Sequence, residues 1–172
     1  DFLGGVAYPA ATLDESWKRF IWHQFHDDLT GTSIPKAYTF SWNDELIAQS
    51  RFADIIKTAT GSVSQALDTK VKGTAVVVYN SLSSAHKDVV TANVPVASKP
   101  SGVRVFNNKG KEMPAQLVSY ANGVAAITFA ADAAPVSYSV YDVRFGKANA
   151  GKSSLKVTSN TLENSVYKIT LN

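Results

Sequence analysis

Leu117-Val118-Ser119-Tyr120-Ala121-Asn122-Gly123-Val124-Ala125-Ala126-Ile127-Thr128-Phe129-Ala130 reads as two strands joined by a two-residue turn. Both central residues of a type I′ turn take positive φ, which Asn-Gly tolerates, and that turn matches the twist of an antiparallel pair. On either side the chain keeps the same texture of short strand and turn. Strands are predicted around residues 74–80, 88–96, 102–106, 112–120, 124–130, 136–144, 154–159 and 165–171. Asn107-Asn108-Lys109-Gly110 is a looser turn, and Pro95, Pro100, Pro114 and Pro135 punctuate the strands. In the 136–144 segment, Val136, Tyr138, Val140 and Asp142 share one face, and Ser137, Ser139, Tyr141 and Val143 the other. Eight short strands at this spacing predict an antiparallel β-sandwich. The last strand runs to Leu171, one residue from the end, which reads as a truncated domain with a sheet edge wanting a partner.

Upstream of Val71 the texture is helical. Seventeen of the nineteen Val lie at or after Val71, whereas all three Trp (Trp17, Trp22, Trp42) precede it. β-branched residues favour strands, so two structural regimes are predicted, residues 1–70 and 71–172. Thr12-Leu13-Asp14-Glu15 fits a capping box opening a helix over 13–28. Trp17, Phe20, Ile21 and Phe25 recur at helical spacing as a stripe expected to be buried. Gly31 and Pro35 end that helix, and a second is predicted from Ser41, with a kink or break at Gly61. Two such helices form a hairpin that cannot bury both apolar faces alone, so a third helix or a neighbouring domain is expected. The fold class is therefore α+β.

Charge divides at the same place. Residues 1–70 carry a net −3 and residues 71–172 a net +6. The basic excess is scattered singly along the strands, unlike the clustered Lys/Arg interleaved with aromatics of a nucleic-acid groove, so no nucleic-acid partner is expected. No apolar run approaches the ~20 residues that span a bilayer, so none is expected to enter a membrane. Without cysteine there is no disulfide framework and no thiolate metal site. The first ten residues, DFLGGVAYPA, lack the features of a signal peptide and do not begin with Met, which reads as the interior of a longer chain.

The dense chemical candidate is Trp22-His23-Gln24-Phe25-His26-Asp27-Asp28-Leu29-Thr30-Gly31-Thr32. On a continuous helix His23, His26 and Asp27 share one arc, and imidazole and carboxylate are both ligands of zinc. Asp27 and Asp28 would then sit at a helix C-terminus, where negative charge is disfavoured by about 0.3–1 kcal/mol and a metal, an arginine or a substrate hydroxyl network would compensate. The same residues also suit a helix surface and a solvated turn. The pattern is not HExxH and offers at most three ligands. His86 reads as a loop residue, Gly4-Gly5 lacks phosphate-loop spacing, and no GxSxG elbow is present. Asp142, on a Tyr-rich strand, suits either a sugar contact or an edge or loop-facing position.

The segment Gln24-Phe25-His26-Asp27-Asp28-Leu29-Thr30-Gly31-Thr32 closely resembles the Q-F/H-H-D-x-L/I-T/P-G-S/T segment of glycoside hydrolase family 38, the class II α-mannosidases. Tyr8-Pro9 with Leu13-Asp14-Glu15-Ser16-Trp17-Lys18 is similar to the family's lead into that helix. Val76-Val77-Val78-Tyr79-Asn80-Ser81-Leu82-Ser83 and Asp88-Val89-Val90 resemble its opening β-domain strands, although Ser81 stands where V-x-N-P-L-S has Pro. Tyr141-Asp142-Val143 and Leu162-Glu163-Asn164-Ser165-Val166-Tyr167-Lys168-Ile169 resemble later strands. The resemblance covers nearly all of this chain but only a middle piece of a longer enzyme. It implies that His26 is a zinc ligand and Asp27 a contact to the bound α-mannosyl glycan. The remaining ligands, the nucleophile and the acid/base would belong to an upstream catalytic domain of the same polypeptide, leaving no catalytic residue here. The reaction implied is retaining hydrolysis through a glycosyl-enzyme intermediate. The helices would be part of a three-helix bundle and the strands the first β-domain. His23 carries no ligand role over from the family and is expected behind the site or at the surface. The competing expectation is a non-catalytic carbohydrate- or protein-binding β-sandwich module with a helical appendage.

Overall fold

A computed structural model describes residues 6–148 and 154–171, so Gly4-Gly5 lies outside the described residues. The chain forms two compact units, Asp1–Asp68 and Thr69–Asn172, divided two residues before the change in composition. The first is helical and the second is built of antiparallel sheets, an α+β fold.

The helical unit contains α1 (Ala10–Trp22), the single-turn α2 (His26–Leu29) and α3 (Pro35–Ala66). α1 begins two residues ahead of the predicted cap: Pro9 is the N-cap, no side chain caps the helix, and the Thr12 carbonyl accepts from Ser16 Oγ at 2.7 Å. Pro35 starts α3 rather than blocking a helix, because a residue without an N–H suits the first turn. Ser41, predicted as a cap, is therefore an interior residue, and α3 runs unbroken through Gly61 for about 48 Å. The predicted helix 13–28 is interrupted: α1 stops at Trp22, and a turn over His23, Gln24 and Phe25 leads into α2.

α1 and α3 pair as an antiparallel hairpin, but not along the aromatic stripe. Trp17, Ile21 and Phe25 are all more than half exposed, whereas Ser16 and Ala48 are fully buried and Ser41 and His23 nearly so. The face of α1 turned to α3 is Ser16, Arg19 and His23, at spacings of three and four. Arg19 Nη1 reaches Asp44 Oδ1 at 2.6 Å and Arg51 Nη1 reaches Glu15 Oε1 at 3.0 Å. Small side chains let the helices approach, and paired charges fill the seam. Trp17 leans on Phe20 and Phe52, with ring centroids 5.9 and 5.1 Å away, at its edge.

In the second unit β1 (Thr74–Asn80), β7 (Ser137–Phe145), β3 (Val103–Phe106) and β4 (Glu112–Met113) form a sheet in that spatial order. A second sheet has the order β2 (His86–Pro95), β6 (Val124–Ala133), β5 (Ala115–Ala121). The predicted strand 112–120 is split at Pro114: β4 pairs with β3, β5 pairs with β6, and the chain changes sheet where an N–H is lacking. The Asn122-Gly123 turn takes the expected form, with φ of +50° and +76° and Ala121 opposite Val124. β6 alternates strictly, with Ala125, Ile127, Phe129, Ala131 and Ala133 inward. Together with Val94, Val103, Val105, Met113, Tyr141 and Val143, all but Ala133 make one core between the sheets. The sandwich is open at its edges. Tyr141 crosses it: its ring packs 5.0 Å from Phe129, and its hydroxyl donates to the Asp132 carbonyl at 2.8 Å and accepts the Asp132 N–H at 2.7 Å. A third small sheet orders β10 (Lys168–Thr170), β9 (Thr161–Glu163) and β8 (Lys156–Val157). The sequence reading missed β9, a three-residue strand between two turns.

Candidate functional site

The His26–Asp27–Asp28 triplet occupies α2 itself rather than the end of a long helix. The aspartates therefore sit in a separate single turn and not at the C-terminus of the long helix expected from sequence. The three consecutive side chains divide. Side chains of His26 and Asp27 are 76% and 54% exposed, with His26 Nε2 3.6 Å from Asp27 Oδ2, whereas that of Asp28 is 16% exposed. Phe25 flanks the His26 ring, centroids 4.2 Å apart.

The backbone of this turn is pinned by the Thr-Gly-Thr-Ser segment that follows. The Asp27 carbonyl accepts N–H groups from Thr32 at 3.2 Å and Ser33 at 2.9 Å and the Tyr38 hydroxyl at 3.3 Å. Thr32 Oγ1 donates to Asp27 Oδ1 at 3.1 Å, and Thr30 Oγ1 donates to the His26 carbonyl. Gly31, at φ +79°, supplies the reversal that brings Thr32 back over α2.

Asp28 points into the hairpin. Its Oδ2 accepts from Ser41 Oγ on α3 and from His23 Nδ1 at the end of α1, both at 2.7 Å. The Ser41 hydroxyl, followed by the His23 imidazole, holds the Asp28 carboxyl below the ordinary carboxylate range against the opposing effect of desolvation. A carboxylate only accepts, so Nδ1 of His23 carries the proton. His23 Nε2 is buried without a hydrogen-bond partner, 3.6 Å from Asp44 Oδ2. His23 is thus an interior residue, 7% exposed, and the arc of His23, His26 and Asp27 read from a continuous helix is not formed. Ser41 and Asp44 were missed as partners of this turn. Their signal was the spacing Ala37-Ser41-Asp44-Ala48, a small and polar seam on α3 that faces its counterpart on α1.

Among the described residues no group of three or more His, Asp or Glu could hold a metal. His26 and Asp27 are of the right donor chemistry, exposed and uncommitted to a core, but they are at most two of the four ligands of a typical zinc site. Of the remaining sequence candidates, His86 is exposed beside Asp88 at the start of β2. Asp142 lies on β7, inside its sheet rather than at an edge, and faces the loop that enters β1: it is 8% exposed and accepts the N–H groups of Gly73 at 2.8 Å and Lys72 at 3.3 Å, with Arg144 Nη2 at 2.6 Å. That carboxylate is used up by the loop before β1 and by Arg144 and is not free for a sugar. A groove of about 680 Å³ in the helical unit, between Tyr8, Pro9 and Leu13 and the Ile55–Val63 side of α3, is not lined by His26 or Asp27.

Compared with known proteins, the chain matches no family model and no curated protein. The chain is an α+β protein in which His26 and Asp27 stand exposed side by side on a pinned turn.

Proposed function

We propose that this chain is part of a retaining, zinc-dependent α-mannosidase, to which it brings one zinc ligand, His26, and one contact to the α-mannosyl glycan, Asp27. The nucleophile, the acid/base and the other ligands lie in a catalytic domain of the same polypeptide. The observation that carries the reading is the division of the triplet. The two residues whose roles the resemblance implies are turned to solvent on a pinned backbone, while their neighbour Asp28 is consumed inside. His26 offers a neutral ring nitrogen to a metal, and Asp27 offers a carboxylate oxygen to a sugar hydroxyl. Zinc, when bound, supplies a Lewis acid.

The test is made on the polypeptide that contains this chain, with an aryl α-mannoside as substrate. His26→Ala should remove zinc, measured by elemental analysis, and lower kcat/KM by more than the roughly 100-fold that loss of an outer-shell partner reaches. Full zinc content and activity in that variant overturns the reading, as does robust turnover by the 172-residue chain alone. Glycan binding by the chain alone, unaffected by His26→Ala, would replace it with the alternative, a non-catalytic binding module.

A further inference from the structure

We infer that Asp28 is the positioning residue of this site, clamping α2 between α1 and α3 so that His26 and Asp27 face outward. The inference rests on the reading of His26 and Asp27 just given. α2 has only four residues, too few to persist as a helix without tertiary support. Successive residues of a helix turn by about 100°, so fixing the direction of Asp28 sets Asp27 about 100° and His26 about 200° away from the buried side. Asp28 is fixed at one atom. Oδ2 takes bonds of 2.7 Å from both His23 and Ser41, and so joins the end of α1, α2 and α3. Of the bonds to the Asp27 carbonyl, those from Thr32 and Ser33 hold the following loop to the turn and that from Tyr38 reaches α3, but none ties α2 to α1. The Asp28 carboxylate does.

The chain itself supplies the first readout. Amide order parameters at His26 and Asp27 should be near 0.85 in the parent and below about 0.6 in Asp28→Ala. Ser41→Ala, which leaves the His23 bond in place, should fall between and serves where Asp28→Ala does not fold. Asp28→Asn, which keeps an oxygen for Ser41, should recover part of the order. In the whole polypeptide, zinc affinity should fall about 10–100-fold in Asp28→Ala, the range for groups that orient a metal ligand. A purely structural role would lower the unfolding midpoint and leave the zinc affinity of the folded protein unchanged. Parent-like order and zinc affinity in folded Asp28→Ala and Ser41→Ala overturn the inference. His26→Ala is the separate arm: if it leaves zinc content intact, the mannosidase reading fails whatever Asp28 does, and if it removes zinc while Asp28→Ala retains affinity, only the positioning role fails.

Discussion

At the scale of single residues, the sharpest features are two backbone positions with opposite demands. Val136 has φ +41°, is 73% exposed, and donates its N–H to the Leu82 carbonyl at 2.9 Å. A β-branched residue in the left-handed region crowds its own backbone, at a cost of about 1–2 kcal/mol. Asn tolerates that conformation and keeps the N–H. Val136→Asn should therefore raise stability by roughly 0.5–1 kcal/mol in urea unfolding, and a lower midpoint would mean that the exposed isopropyl group makes contacts that matter more than its strain. Gly73 is the converse. A Cβ there would stand 2.1 Å from the Val143 carbonyl oxygen, a clash with backbone that no rotamer relieves. The same residue gives its N–H to Asp142. Gly73→Ala should cost more than about 1 kcal/mol, and stability equal to the parent would show that β1 can enter the sheet by another path.

At the scale of elements, Asp142 ties the entry to β1 to strand β7. Desolvation pushes its carboxyl up, but the Arg144 guanidinium and the Gly73 and Lys72 N–H groups together outweigh it and hold it below the ordinary range. The folded-state value lies below the unfolded one, so the stabilisation is present above about pH 4 and lost as pH falls through the folded-state value. Asp142→Asn should be less stable than the parent at pH 7, and the difference should close on acidification. Parallel stability curves down to pH 2 would refute the ionised cradle. The same scale shows what could be read in advance. The β5–β6 hairpin was legible because Asn122-Gly123 states its own backbone geometry. The split at Pro114 was only half legible: the missing N–H marks an interruption, but a change of sheet depends on where β3 and β6 lie. The break after Trp22 was not legible, since His23-Gln24-Phe25 contains neither Gly nor Pro. It is set by Asp28 meeting His23 and Ser41, a contact between elements. For the same reason the aromatic stripe misled. The hairpin closes on Ser16, Ser41 and Ala48, leaving Trp17, Ile21 and Phe25 exposed, because small side chains and matched charges fit an antiparallel pair more closely than facing rings.

At the scale of the molecule, burial is distributed unevenly, and this determines where stability resides. The inner faces of the two larger sheets supply the core, with Ile127, Val105 and Ala125 fully buried. By contrast, no residue from Ser154 to Leu171 is buried. In that small sheet the register aligns Val157, Leu162 and Ile169 on one face and Lys156, Glu163 and Lys168 on the other. The charged row is paired, with Glu163 2.9 Å from Lys156 and 3.7 Å from Lys168, but exposed pairs contribute at most about 1 kcal/mol each. The apolar row is 45–69% exposed. Three strands need a packed hydrophobic face to be stable independently, and this face is bare. Amide hydrogen exchange should therefore separate the unit into two classes. Ile127 and Phe129 on β6 should exchange only through global unfolding, whereas Leu162 on β9 and Ile169 on β10 should exchange within minutes at neutral pH. If β9 were instead as protected as β6, Val157, Leu162 and Ile169 would have to be covered in solution. Leu162→Ala would then lower that protection, and the apparent mass of the particle in solution with it if the cover is another molecule.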